Sequence, residues 1–225
     1  MRIFYIMKFD ARVIQILKNF STINPSIVFK PGKYISTMSQ SQSIMGRAEI
    51  DQEIEKSFGI HDLSKFISTM SLFSSPDIII KDDYMVIKEG SRKVNYVFAD
   101  PSYIVSPPDK EIKFPAPEVS FDIGESDLQG LMKAQSILSL PEIAIVGDGS
   151  KIFVKALNGE NPTSDVYSLE VGVTEDNFSM VIKAEYLKLL PGDYHVEVSS
   201  KGISKFTGNG VEYFIAVDSS SKYGN

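Results

Sequence analysis

Catalysis needs residue types that this chain supplies sparsely. Its only histidines are His61 and His195, and neither sits in the HExxH-type spacing that would aim two imidazoles at one metal. Packing or surface roles are expected for both. The segment GDGSK at 147–151 has the glycines and lysine of a phosphate-binding loop but lacks the GxxxxGK[ST] order. It lies between two strand-like runs with no helix expected after it, so a hairpin turn accounts for it. Asp82-Asp83 separates DIIIK from YMVIK, where turn chemistry suffices and paired-carboxylate catalysis would need partners that the sequence does not offer. Serines are abundant, yet no GxSxG elbow accompanies them. With zero cysteines there is neither a disulfide framework nor a thiolate metal site. The expectation is a protein that is not an enzyme, with no cofactor and no metal.

The elements that position side chains read out in duplicate. Val13, Ile16, Leu17 and Ile23 form an amphipathic stretch ahead of the turn-linked strands SIVFKPGKYIST. Leu128, Leu131, Met132 and Leu138 repeat that spacing 115 residues later, ahead of EIAIVGDGSKIFVKAL, and Lys133 then matches Lys18. The halves also end alike, with Tyr96 in VNYVFAD opposite Tyr213 in VEYFIAVD. A unit this long means two copies of one domain, not a solenoid. At 225 residues and 43% hydrophobic content the chain can build two cores of about 110 residues each, close to the usual domain size.

A strand is expected over 4–9, then a helix from about Asp10, its N-cap, to Asn19. Glu125 and Asp127 mark a similar start in the second half. Pro31-Gly32, Asp148-Gly149 and Asn209-Gly210 punctuate hairpins, and EIDQEIEK at 49–56 reads as a strand with its acids exposed. A second helix per half is expected at 61–73, where Leu63, Phe66, Ile67 and Met70 share a face, and at 183–190, stopped by Pro191-Gly192. Five prolines in DPSYIVSPPDKEIKFPAP, residues 100–117, enforce an extended connector. The domains are therefore set at 1–107 and 108–225, each α+β with mainly antiparallel sheet. The polar tail from Asp218 is expected to be mobile, without a function.

No apolar run approaches the roughly 20 residues that span a bilayer, and MRIFYIMKF is too short for a signal peptide. A soluble intracellular protein is expected, with no membrane partner. The formal charge of −6 opposes general attraction to nucleic acid. Any DNA role must be local or topological.

The order strand, helix, strands, helix, strands, given twice, resembles that of DNA sliding clamps. The segments ILKNFSTINPSIVFKPGKYI at 16–35 and DPSYIVSPPDKEIKFPAP resemble the processivity clamps of T-even-type bacteriophages, and the similarity covers nearly the whole chain. It is weakest over the first six residues; Met7-Lys8-Phe9 is similar to the family's usual start, which points to an extended N-terminus or an alternative start codon. The resemblance implies a head-to-tail homotrimeric ring, sheets outside and two helices per domain inside, that encircles double-stranded DNA without reading its sequence. It further implies tethering of the replicative DNA polymerase, an ATP-driven clamp loader, a role with late-transcription factors, and residence in the cytoplasm of the infected bacterial host.

For such a ring the DNA-facing candidates are Arg12, Lys18, Lys65, Lys133, Lys183 and Lys188 on or beside the four expected helices, with Lys201 and Lys205 on a hairpin as lesser additions. A solvated helix face explains any one of these lysines equally well; the DNA reading is collective. By the resemblance, hydrophobic partner tails dock near the connector and the C-terminal strand, which nominates Tyr103, Ile104, Val105 and Val217. Tacking the connector onto its domain is the plainer role for each. Two other classes compete: a phage virion or baseplate structural protein, and a monomeric carbohydrate- or peptide-binding module. A clamp needs helices on one inner surface in both halves, whereas a sandwich module needs none.

Overall fold

The computed structural model describes residues 6–110 and 112–224. The chain divides into two compact units, 1–109 and 110–225. Unit 1 runs β1 (Ile6–Met7), α1 (Ala11–Ile23), β2 (Ile27–Phe29), β3 (Gly32–Met38), β4 (Ile44–Ile54), β5 (Phe58–Ile60), α2 (Leu63–Met70), β6 (Asp77–Ile80), β7 (Tyr84–Glu89) and β8 (Arg92–Val97). All pairings within it are antiparallel: β1-β6-β7-β8 form one sheet, β2 pairs with β5, and β3 with β4. The strand expected over 4–9 is described only from Ile6. Residues 1–5, and with them most of the N-terminal extension expected before Met7, lie outside the described residues.

Both helices of unit 1 follow their sequence signals. Asp10 caps α1 by accepting from the Val13 N–H at 2.7 Å, and Asp62 caps α2 by accepting from Lys65 N–H at 2.8 Å. The 3.6-residue period turns Val13, Ile16, Leu17, Phe20 and Ile23 of α1 into the core, and Leu63, Phe66, Ile67 and Met70 of α2. The two helices pack side by side. Beneath them Phe9, Phe29, Phe58 and Phe98 form a stack with centroid spacings of 5.7, 4.6 and 4.9 Å. In β4 the strand period sends Ile50 and Ile54 inward and Glu49, Asp51 and Glu53 to solvent, as their alternation requires.

Unit 2 runs β9 (Val119–Ile123), α3 (Glu125–Ile137), β10 (Glu142–Asp148), β11 (Lys151–Leu157), β12 (Tyr167–Val173), β13 (Asn177–Lys183), β14 (Tyr194–Ser199), β15 (Ile203–Gly208), β16 (Val211–Ala216) and β17 (Lys222–Tyr223). One antiparallel sheet has the order β12-β11-β10-β13-β17, and β9-β14-β15-β16 pair in sequence. The two hairpins expected in unit 2 turn where the sequence places them, whereas Pro31-Gly32 in unit 1 joins β2 to β3, which pair with β5 and β4 and not with each other. Gly149 has φ 82°, and Asn209 and Gly210 have φ 51° and 68°, the pair of positive values that a two-residue hairpin demands.

Two expectations fail here. The helix expected over 183–190 is a single 3-10 turn, Ala184–Tyr186. Lys183 still belongs to β13, and Leu190 is biased to extended backbone by the proline after it, so the segment left between them is too short to repay helix nucleation. The described residues thus hold three α-helices, two in unit 1 and one in unit 2. The tail is not free either: its last described residues form β17 against β13. Leu138 also departs from the repeat, standing just past the end of α3 and exposed, where its counterpart Ile23 is buried.

Candidate functional site

The basic residues of α1 and α2 stand where helix electrostatics disfavours them. Arg12 and Lys65 each occupy the first turn of their helix, the positive end of the macrodipole, and neither helix carries an acid in that turn. Each such placement costs about 0.3–1 kcal/mol at a surface, and the Asp10 and Asp62 carboxylates at the N-caps beside them offset part of that cost. Both side chains are exposed, as is Lys18 on the face of α1 opposite its core. In unit 2, Lys133 is exposed in mid-α3. Among the described residues Lys18, Lys65 and Lys133 make no ion pair. Three exposed cations on the packed pair α1 and α2, and one on α3, are side chains of the kind that contacts a diffuse polyanion.

The remaining basic candidates sit differently. Lys183 ends β13, its ammonium 6.0 Å from the Tyr186 ring, in a cleft of about 540 Å³ shared with Glu142, Glu160 and Glu185. Three carboxylates outweigh its charge locally. Lys188 lies half-buried in the loop that replaces the expected helix. Lys201 is exposed in the β14–β15 turn. Lys205 lies between Glu197 at 3.6 Å and Glu212 at 3.4 Å on the strands either side, its side chain mostly covered. Its role in the structure is to neutralise two carboxylates across the sheet.

The connector begins tied to unit 1. Buried Asn24 donates to the carbonyls of Met38 (2.8 Å) and Val105 (3.1 Å), and Lys30 reaches the Pro107 carbonyl and the Asp109 carboxylate at 2.9 and 2.6 Å. That lysine holds the Asp109 carboxyl below its ordinary range, first through the hydrogen bond and then through its charge. Of the nominated docking residues, Tyr103 stands 88% exposed at the end of a 3-10 turn, whereas Ile104 is only 8% exposed and packs against Gly59. Ile104 is therefore a packing residue. Val105 is half-buried in unit 1, and Val217 is half-buried in unit 2, where its N–H donates to Gly202.

The sequence does not mark which strand edges stay open. Among the described residues nothing in the chain pairs with the outer edge of β8 or of β12. The Phe98 N–H bond to Asp83 fixes the alternation of the β7–β8 ladder, so the backbone groups of Lys93, Asn95 and Val97 point away from β7 toward that open edge. Each edge carries apolar surface. Val97 is 71% exposed at the far end of β8, and Leu72, 60% exposed just after α2, lies at the strand's Arg92 end, its carbonyl accepting from Arg92 at 3.2 Å. Val173 is 79% exposed on β12, and Ile137 and Leu138 are exposed at the end of α3, which packs on β11 and β12. Each edge thus has a helix end beside it with bare apolar side chains.

One arrangement imitates an active site. His195 Nδ1 lies 2.7 Å from an Asp122 oxygen and Nε2 lies 3.1 Å from the Ser120 hydroxyl, across β9 and β14. The connectivity is that of a serine-hydrolase relay. Asp122 is nearly fully solvated, however, and His195 half-exposed, so nothing holds the imidazole in the low-dielectric setting that gives such a relay its effect. Cross-strand pairing describes it.

Comparison with known proteins bears on the whole arrangement. Residues 9–106 match the family described as DNA polymerase processivity factor, and residues 120–219 match the family described as gp45 sliding clamp, C terminal. The chain is 33% identical to the sliding clamp of Escherichia phage RB69 and 30% identical to that of Enterobacteria phage T4, each alignment covering 96% of this chain and 99% of the relative. Its fold matches the crystal structure of Proliferating Cellular Nuclear Antigen from Entamoeba histolytica, with a TM-score of 0.71 at 14% identity over 97% of this chain and all of that one.

Proposed function

Since the chain belongs to the sliding-clamp family of DNA polymerase processivity factors, we propose that it acts by closing around duplex DNA as a head-to-tail ring of three copies and holding the replicative polymerase there. The observation that carries this reading is the pair of first-turn cations, Arg12 and Lys65, standing with Lys18 on adjacent helices of an acidic chain. Phosphate contacts of that kind position a duplex and carry no base information; each exchanges readily, so the ring can slide.

Closure requires one surface of a copy to meet a different surface of the next. The open edges supply such a pair: β8 of one copy adds antiparallel to β12 of its neighbour, while the bare apolar residues around Leu72 meet those around Ile137. Pairing hides two edges that would otherwise invite aggregation. Six units from three two-unit chains complete the ring. The DNA-facing set is Arg12, Lys18, Lys65 and Lys133, and exposed Tyr103 with half-buried Val105 and Val217 are the docking residues for partner tails.

The clamp raises the polymerase's effective concentration at the primer end, and each rebinding becomes intramolecular. A loader ATPase opens the ring, the ring is a platform for late-transcription factors, and the setting is the cytoplasm of the infected host. Light scattering over a dilution series tests the ring: a mass near three times 25.0 kDa is expected, and a monomer at every concentration would overturn it.

A further inference from the structure

The ring reading above leaves one question of specificity, on which this inference rests. Without the tail strand β17, the sheet of unit 2 would have two flanks, β12 and β13, each seven residues long and each able to take an antiparallel newcomer such as β8. Length does not discriminate between them. If both were open, one donor edge would face two acceptors, and copies could join in two ways where a closed ring uses one.

The structure shows β13 covered by the chain's own end. The Ala184 N–H bond to Pro141 fixes the β10–β13 alternation, so the backbone groups of Asn177, Ser179 and Val181 point outward. The tail meets them. Asp218 N–H donates to the Val181 carbonyl at 2.7 Å, the Ser221 hydroxyl accepts from Val181 N–H at 2.8 Å, and Gly224 N–H donates to the Asn177 carbonyl at 3.0 Å. Register sets Lys222 opposite Ser179 and Tyr223 opposite Phe178. The Tyr223 ring stacks on Phe178 at 5.8 Å, and its hydroxyl donates to Asp176 at 2.8 Å. An aromatic anchor and a reversing turn at Asp218, whose carboxylate accepts from Ser220 N–H, hold a polar tail that has little other reason to be ordered.

We propose that residues 218–224 are an edge guard: by occupying β13 they leave β12 as the sole acceptor for a neighbour's β8, so that three copies close instead of extending. Natural sheets protect spare edges in several ways, and a short self-strand is the form it takes here.

Deleting residues 218–225 tests it, with wild type measured at the same concentrations. Wild type is expected at three times 25.0 kDa, and the truncated chain at species larger than the trimer, its weight-average mass raised at least about twofold. Adding Asn95→Pro to the truncated chain, which blocks the β8 edge, is expected to abolish those species. A truncated chain that remains trimeric throughout, or large species that survive Asn95→Pro, would overturn the guard while leaving the ring intact. A monomeric wild type would instead remove the ring reading and the guard with it. Should truncation unfold unit 2, full-length Tyr223→Ala keeps the question open to measurement: amide exchange at Ser179 and Val181 at least about tenfold faster, with larger species appearing, supports the guard. Unchanged exchange and mass in that variant refute it.

Discussion

Asn95→Pro isolates the contact on which ring closure depends. The Asn95 N–H points out of β8 toward the open edge, so proline there deletes no bond to β7 and falls at the kind of edge position that tolerates it. Between copies the same change removes a ladder donor and sets the pyrrolidine ring against the incoming strand. One net backbone hydrogen bond is about 0.5–1.5 kcal/mol. A closed trimer has three such interfaces, so its formation loses about 1.5–4.5 kcal/mol, or roughly 10- to 2,000-fold in the association constant. Because that constant carries the square of concentration, the midpoint of dissociation moves up by about 3- to 45-fold. Light scattering or sedimentation across a dilution series reads this directly, with circular dichroism to verify the monomer and Asn95→Ala as the control that retains the N–H. A proline variant whose midpoint matches wild type would refute the assignment of β8 to the interface.

Other expectations follow from individual contacts. Reversing Lys18, Lys65 and Lys133 together to Glu should abolish retention on DNA while the melting temperature stays within a few degrees of wild type; reversing Lys201 instead should change little. Ile104→Asp should destabilise unit 1 by more than about 2 kcal/mol in denaturant titration, because Ile104 is buried, whereas Tyr103→Ala should leave stability unchanged and weaken binding of a polymerase tail peptide. Gly59→Ala would place a Cβ 2.6 Å from the Ala99 carbonyl oxygen and should cost about 1–3 kcal/mol in thermal or urea unfolding. Burial pushes the Tyr194 phenol up to about 12 and raises Tyr213 as well. A raised folded value means the protonated form is favoured by folding, so this stability is complete below pH 10 and is lost as pH rises toward 12; ultraviolet titration should show two tyrosines ionising only as unit 2 unfolds.

Local signals carried much of the fold. Asp10 and Asp62 cap as their positions require, the 3.6-residue stripes of α1 and α2 are the buried faces, and the glycine turns adopt the positive φ their residues permit. The missing fourth helix shows the limit of such signals: KAEYLKLL has a helical apolar pattern, but β13 takes its first residue and Pro191 constrains its last. Three further features depend on strand register or on contacts distant in sequence. No local pattern shows that Lys205 faces Glu197 and Glu212, that Ile104 closes over Gly59, or that a serine-rich tail completes a sheet 40 residues upstream. Lys65 and Arg12 were legible as cations on or beside helices, yet their place in the first turn, next to the Asp62 and Asp10 N-caps, emerged only with the helix bounds defined.

Topological linkage to DNA is the property to measure. The chain has no cysteine, so Asn95→Cys on β8 and Ser168→Cys on β12 give one crosslinkable pair per interface without background. After loading on nicked circular DNA and closure with a bis-maleimide, the protein is expected to stay with the circle through detergent and to be released when the circle is cut once. Detergent-stable protein that stays on the DNA after cutting, or crosslinked trimer that never stays on the circle, would contradict a ring that holds its polymerase by encircling the duplex.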